Sequence, residues 1–152
     1  MTSPVTFVST SPRMGLPLLF AGQAQKEIFV NEALSITDAL LHCAIEGSLG
    51  TPPSSANDGA NWLVSASPGD DWAGQAGKIA CRQGGGWIFI QPIDGMTVLN
   101  RSTGQIMRYW GAWKTAATPV APAGGTVVDN ESRAVIGQII TALKAAGVLA
   151  TS

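Results

Sequence analysis

Between Thr51 and Thr115 the chain is broken repeatedly by Gly, Asn, Asp and Pro, and the runs between the breaks are rich in β-branched, aromatic and aliphatic residues. This punctuation leaves no room for a long helix and predicts short strands joined by tight turns. The predicted strands are Trp62 to Ser65, Lys78 to Gln83, Trp87 to Gln91, Met96 to Asn100, Gln105 to Tyr109 and Ala112 to Thr115. An internal echo at an offset of 26 supports the reading: Cys81-Arg82 followed by Gly86-Trp87 matches Met107-Arg108 followed by Ala112-Trp113. Gly84-Gly85-Gly86 and Trp110-Gly111-Ala112 supply the turns, since Gly tolerates positive φ. Two copies of one hairpin predict a compact antiparallel meander.

Upstream the periodicity changes. Gly22 serves as an N-cap with Gln25 as the reaching partner of a capping box, and Gly47 supplies a left-handed C′ position, which frames a helix of about 24 residues. Glu27, Asn31, Ser35, Asp38, His42 and Glu46 form one polar stripe along it. Phe29, Ala33, Ile36, Leu40 and Cys43 form an apolar stripe that Val30, Leu34, Leu41 and Ile45 widen. So broad an apolar arc exceeds what a small β domain can cover, and it predicts that Phe29, Ile36 and Leu40 line an oligomer interface.

Residues 1–21 hold Pro4, Pro12 and Pro17 among Ser, Thr and β-branched residues, which disfavours helix and predicts an extended arm with a strand around Val5-Thr6-Phe7-Val8. Such an arm cannot bury Phe7 or Phe20 alone, so it is expected to pack on a neighbouring subunit or a particle surface. Met14 to Ala21 mimics a signal peptide, but it is too short, is broken by Pro17 and leads straight into the helix. Residues 115–128, with Pro119, Pro122, Gly124 and Gly125, read as a linker. Asp129 then caps a second helix, with Glu131 in its first turn, Lys144 in its last and Gly147 closing it. Ile136, Ile139, Ile140 and Leu143 give this helix an apolar face that requires a cover, either its own domain or copies of itself.

The expected organisation is therefore α+β: an extended N-terminal arm (1–21), one long helix (22–47), a small Trp-rich antiparallel β meander of hairpins (51–114), a Pro/Gly linker (115–128) and a C-terminal helix (129–149). Charged residues make up only 12%, and 18 Gly and 9 Pro occur among 152 residues. With a mean hydropathy of +0.21, the chain is too apolar for disorder and too sparsely charged for an ordinary monomer surface. Net charge is −1 and the nine Lys and Arg are scattered, which argues against nucleic acid and against electrostatic membrane docking. No apolar run approaches the ~20 residues that span a bilayer, so no membrane insertion is expected.

Catalytic constellations are not legible. His42 is the single histidine and falls on the polar stripe of the predicted helix, away from any nucleophile–acid set. Asp58, Asp70, Asp71 and Asp94 fall in turns, where an Asp side chain bonds its own backbone. Gly84-Gly85-Gly86 precedes a strand and lacks a following Lys-Ser/Thr, so it is no phosphate loop. Cys43 and Cys81 form no metal-ligand spacing with His42; buried thiols and a 43–81 disulfide both stay open. The expectation is a protein without enzymatic activity, metal or cofactor.

The block Gly15-Leu16-Pro17-Leu18-Leu19-Phe20-Ala21-Gly22-Gln23-Ala24-Gln25-Lys26-Glu27, continued by Asn31-Glu32-Ala33-Leu34, resembles the opening of a domain family of unnamed activity in proteins of tailed phages, prophages and gene-transfer agents, including head-spike and tail-fibre-like proteins. The Asp-Gly then Trp-Leu-Val pattern and the segment from Trp72-Ala73-Gly74 to Gly86-Trp87 extend the resemblance to about residue 114. It implies a structural virion protein, made in the host cytoplasm, that acts as a spike or fibre base or adaptor subunit. Its partners would be copies of itself, as a trimer or pentamer, and other capsid, fibre or tail proteins. Leu16, Leu18, Leu19 and Phe20 would anchor it to the particle, and Ile136, Ile139, Ile140 and Leu143 would join the oligomer interface. This sequence lacks a long receptor-binding or enzymatic region after the helix, which favours a base or adaptor.

The Trp-rich hairpins are also loosely similar to small chitin- or cellulose-binding modules. Planar rings stack on sugar faces, and Trp110, Tyr109, Arg108 and Trp72 are the candidate residues for host polysaccharide. Trp87 and Trp113 are expected in the core.

Overall fold

The structure is a computed structural model that describes residues 9–22, 26–120, 123–125 and 129–151. The predicted strand around Val5–Val8 and the capping partner Gln25 lie outside them. The chain divides into two compact units, Met1–Cys43 with Ser48–Gln91, and Ala44–Gly47 with Pro92–Ser152. The architecture is α+β, with helix α1 (Lys26–Leu40), strands β1 (Ala44–Ile45), β2 (Ser48–Leu49), β3 (Asn61–Val64), β4 (Ile79–Gln83), β5 (Gly86–Ile90), β6 (Thr97–Asn100), β7 (Gln105–Tyr109) and β8 (Trp113–Lys114), and helix α2 (Asn130–Ala145).

The 26-residue echo has a structural counterpart. Each unit holds one four-stranded sheet, ordered β2-β3-β4-β5 in the first unit and β1-β6-β7-β8 in the second. In both, a two-residue strand runs parallel to the last two residues of a four-residue strand: Ser48↔Leu63 and Leu49↔Val64 in one, Ala44↔Leu99 and Ile45↔Asn100 in the other. Two antiparallel strands then follow by hairpins. The echo thus marks the same hairpin in two sheets of identical strand order, which together form the meander-like β region expected. β1 and β2 escape a periodicity reading because two residues carry no period.

In the first unit, Gly84 and Gly85 form the two-residue turn between β4 and β5 with φ 56° and 78°, the backbone that a right-twisted hairpin needs. One face of the sheet builds a core of Trp62, Val64, Trp72 and Ala80, with Trp87 and Phe89 packed against it. The Trp87 ring stands edge-on to both Trp62 and Trp72, at centroid distances of 5.7 and 5.1 Å. Asn61, Leu63, Ile79 and Cys81 are buried as well. Asn61 donates from Nδ2 to the Ala39 carbonyl at the end of α1. Cys43 and Cys81 are buried free thiols, and burial raises both pKa values, that of Cys81 to about 11.

α1 differs from its expected form in length and in the face it buries. It ends at Leu40 rather than at Gly47, because Arg13 takes the carbonyls that would have continued it. The Arg13 guanidinium donates to the carbonyl oxygens of Asp38, Ala39, Leu41 and His42, satisfying the acceptors a helix end leaves open. His42 lies beyond the helix in the left-handed region, with φ 50°. The chain then enters β1, so Ile45 and Glu46 are not helical. The buried residues of α1 are Ser35, Asp38 and Ala39, whereas Phe29 is 75% exposed and Ile28 65%. The polar stripe faces inward and much of the apolar one faces out.

The arm is the reason. Residues 9–18 fold back on themselves: Ser11 N–H donates to Leu16 O, Leu18 N–H to Ser9 O, and Thr10 bridges Pro17 around Gly15, whose φ is 66°. This loop presents backbone donors that only polar side chains can satisfy. Asp38 accepts from Ser11 Oγ at 2.7 Å, Arg13 N–H at 3.0 Å and Met14 N–H at 2.6 Å. Asn31 clamps Leu19 at both ends of its backbone, with Leu19 N–H donating to Oδ1 at 2.8 Å and Nδ2 donating to Leu19 O at 3.0 Å. Glu27 Oε1 accepts from Gly22 N–H at 3.1 Å. Residues 9–22 therefore pack on their own helix. Gly59 completes the seat, since a Cβ there would lie 2.7 Å from Arg13 Cγ.

In the second unit, Ile45, Val98, Gln105 and Leu149 are buried. Asp129 caps α2 as predicted, accepting from Ser132 N–H at 2.9 Å. Gly147, with φ 71°, closes the other end. Its N–H donates to Lys144 O while Val148 N–H reaches back to Leu143 O, the paired bonds of a Schellman turn. Residues after α2 then dock on β7 and the turn before it: Ile106 N–H donates to Gly147 O, Gln105 Nε2 donates to Val148 O, and Thr151 N–H donates to Thr103 O. The helix itself buries no residue.

Candidate functional site

The β7–β8 hairpin carries a recess with a distinctive chemical lining. Gly111, with φ 64°, turns the tip, and its N–H donates to Asp94 Oδ1 at 2.7 Å. Bonds from Tyr109 N–H to Met96 O and from Gly95 N–H to Tyr109 O extend the ladder to the turn residues just before β6. Strand alternation then separates two faces. Gln105 is buried and Met107 and Tyr109 are half-buried, whereas Ile106, Arg108 and Trp110 are exposed. Tyr109 stands edge-on to Trp113, centroids 5.3 Å apart.

On the exposed side, Arg108, Trp110 and Lys114 line an open recess of about 310 Å³. The Arg108 guanidinium lies over the Trp110 ring at 5.0 Å from its centroid, a cation–π contact that holds the fork in place. Trp110 is 55% exposed, so ring surface remains for a ligand.

Of the residues expected at a saccharide site, Arg108 and Trp110 come together here, and Tyr109 supports the hairpin between them. Trp72 does not belong. It is fully buried in the first unit, at the end of a 3-10 turn (Asp70–Trp72), and a ring with no exposed surface cannot stack on a sugar. Lys114 was missed by the sequence reading, and its signal is register: with Tyr109 opposite Trp113, Lys114 must stand opposite Arg108.

The residues expected at an oligomer interface divide by exposure. Phe29, Ile136 and Ile139 are exposed, while Ile36, Leu40, Ile140 and Leu143 are half-buried. Leu16, Leu18 and Leu19 are half-buried and Phe20 is exposed. Val135, with Ile136 and Ile139, adds to the apolar surface of α2. Among the described residues, no helix is long and apolar enough to cross a membrane, and no group of three or more His, Cys, Asp or Glu is placed to hold a metal ion.

Fold and site together define a small α+β protein of two like sheets with helices before and after them. The chain belongs to the family described as "Protein of unknown function (DUF2793)", which it matches over residues 30–114. That span runs from α1 through β8 and leaves the Gly15–Glu27 block and α2 outside it. No curated protein matches the chain.

Proposed function

We propose that this chain is a structural virion protein of a tailed phage or gene-transfer agent, a spike- or fibre-base subunit or adaptor that assembles as a homo-oligomer. The observation that carries the reading is α2: sixteen helical residues with none buried, anchored at the C-terminal end and presenting Val135, Ile136 and Ile139 to solvent. Helices draw most of their stability from packing an apolar face, and such a face is covered when copies associate. α1 adds Ile28, Phe29 and Val30, left outside because its polar face is committed to residues 9–22. The resemblance of the Gly15–Glu27 block and the Asn31-Glu32-Ala33-Leu34 motif to head-spike and tail-fibre-like proteins supplies the virion setting. Imaging of purified particles should find copies of the chain around a symmetry axis, with capsid, fibre or tail proteins as neighbours. Its absence from particles would remove the reading.

A second reading is a carbohydrate-binding module that docks the particle to host surface polysaccharide. It is favoured by the recess with Trp110 half exposed beside Arg108. Under this reading Trp110→Ala loses glycan binding without unfolding the protein.

A further inference from the structure

We infer that the Arg108–Trp110–Lys114 recess takes an acidic saccharide, with a sugar carboxylate as the group recognised. The inference rests on the carbohydrate reading and specifies its ligand.

Cross-strand register places Thr97 opposite Arg108 and Arg108 opposite Lys114. Residues directly opposite share one face of a sheet, with Cβ atoms about 4.5–5.5 Å apart. A hydroxyl, a guanidinium and an ammonium thus form one row across three strands, bordered by the Trp110 ring. Two like charges at such positions are destabilising. Among the described residues the ion pairing is Arg101 with Glu46 at 2.6 Å, so neither Arg108 nor Lys114 has a carboxylate partner there. Asp94, the acid at this hairpin, is turned to the Gly111 N–H. The free protein therefore holds Arg108 and Lys114 side by side with no carboxylate of the described residues bonded to either, where an anion can pair with both.

The form of the site selects among anions. Arg108 is already seated on the Trp110 ring, so its planar fork is oriented for the two oxygens of a carboxylate. Lys114 adds a second donor, and Thr97 offers a hydroxyl that can bond a sugar hydroxyl. The open part of the Trp110 ring can take the C–H face of a pyranose. At about 310 Å³, the recess lies at the small end of ligand pockets, roughly 300–1,000 Å³, which suits a short stretch of sugar. A nucleic-acid strand is a poorer fit, because the nine Lys and Arg of the chain form no stripe that could follow its phosphates.

The test measures binding of the full chain, at one fixed salt concentration, to oligomers of galacturonate, glucuronate and mannuronate, to the same oligomers after carboxyl reduction, and to inorganic polyphosphate. At least one uronate oligomer should bind, and its carboxyl-reduced form should bind about tenfold more weakly or worse. Arg108→Gln should weaken binding by about tenfold or more, the scale of a charge-assisted hydrogen bond, and Trp110→Ala should weaken it by about tenfold through loss of the stacking face. Lys114→Gln should weaken binding while leaving the melting temperature of the free protein equal or higher, since it removes a like-charge neighbour; a lysine with a merely structural role would lower it. Equal binding of neutral and acidic oligomers would overturn the acidic specificity and leave the carbohydrate reading standing. Binding of neither set would overturn both. Polyphosphate binding as tightly as a uronate, with Trp110→Ala unaffected, would reduce the site to a simple anion site and overturn the inference.

Discussion

Replacing Asp38 with Ala should release residues 9–18 from α1, and the size of the effect follows from the bonds it accepts. The carboxylate is 1% exposed and takes hydrogen bonds from Ser11 Oγ, Arg13 N–H and Met14 N–H. Bonds to a charged acceptor contribute about 1.5–3 kcal/mol each, but adding three of them overcounts, because burying the carboxylate carries its own desolvation cost. The net loss is better set by the strand of broken partners left behind: a hydroxyl that is 2% exposed and two backbone N–H groups without acceptors. Leaving a buried donor unpaired costs about 1–3 kcal/mol, so the three together cost about 3 kcal/mol or more. At the lower bound of about 3 kcal/mol, the open form of the arm becomes more populated by on the order of 100-fold. Trypsin provides the assay, since Arg13 is held among the carbonyls of Asp38, Ala39, Leu41 and His42 and must leave them to be cut. Cleavage after Arg13 should be slow in the wild type and faster by about that factor in Asp38→Ala, provided opening and closing outpace cleavage. Phe29→Ser, on the exposed side of α1, should leave the rate unchanged. An Asp38→Ala protein with wild-type urea midpoint and wild-type protection at Arg13 would refute this account of the arm.

The cap of α2 should be pH-dependent. Asp129 accepts from the Ser132 backbone N–H and then from its hydroxyl, which lowers its pKa. The folded value lies below the unfolded one, so the cap's contribution is present above the ordinary aspartate range and is lost as pH falls through the lowered value. Circular dichroism should show less helix in Asp129→Ala than in wild type at neutral pH, with the difference shrinking in acid; a difference that persists in strong acid would contradict it. Cys81, raised to about 11 by burial first, with the Arg13 charge opposing, should resist thiol-modifying reagents at pH 8 until the protein unfolds. Modification at the rate of an exposed thiol in the native protein would count against the buried site.

The parts legible in the sequence are those governed by local backbone chemistry. Gly84-Gly85 and Gly111 announce hairpins because their φ values exclude most side chains, and β7 spans Gln105–Tyr109 as its pattern predicts. Asp129 and Gly147 bound α2 through bonds made within a few residues of each. What stayed hidden depends on distant partners. A periodicity reading assumes that a helix turns its apolar stripe inward, and α1 does the opposite because residues 9–22 bring unpaired backbone groups to Glu27, Asn31 and Asp38. The helix also stops seven residues before the glycine that looked like its end, because Arg13, far upstream, takes its last carbonyls. Trp72 and Trp110 both read as candidate sugar-stacking rings on paper, with Trp110, in a turn, the one expected to be exposed. One closes a core with Trp62 and Trp87, and the other sits at a hairpin tip. Lys114 gains its place beside Arg108 only through strand register.

The central claim, that the chain assembles through surfaces it does not cover itself, is tested most directly by its mass in solution. Light scattering of the purified chain at micromolar concentration should give a discrete multiple of 15.7 kDa, a trimer or a pentamer. Ile136→Glu with Ile139→Glu should dissociate that species while the two sheets remain folded. A clean 15.7 kDa monomer for the wild type, unchanged by the double substitution, would contradict the account.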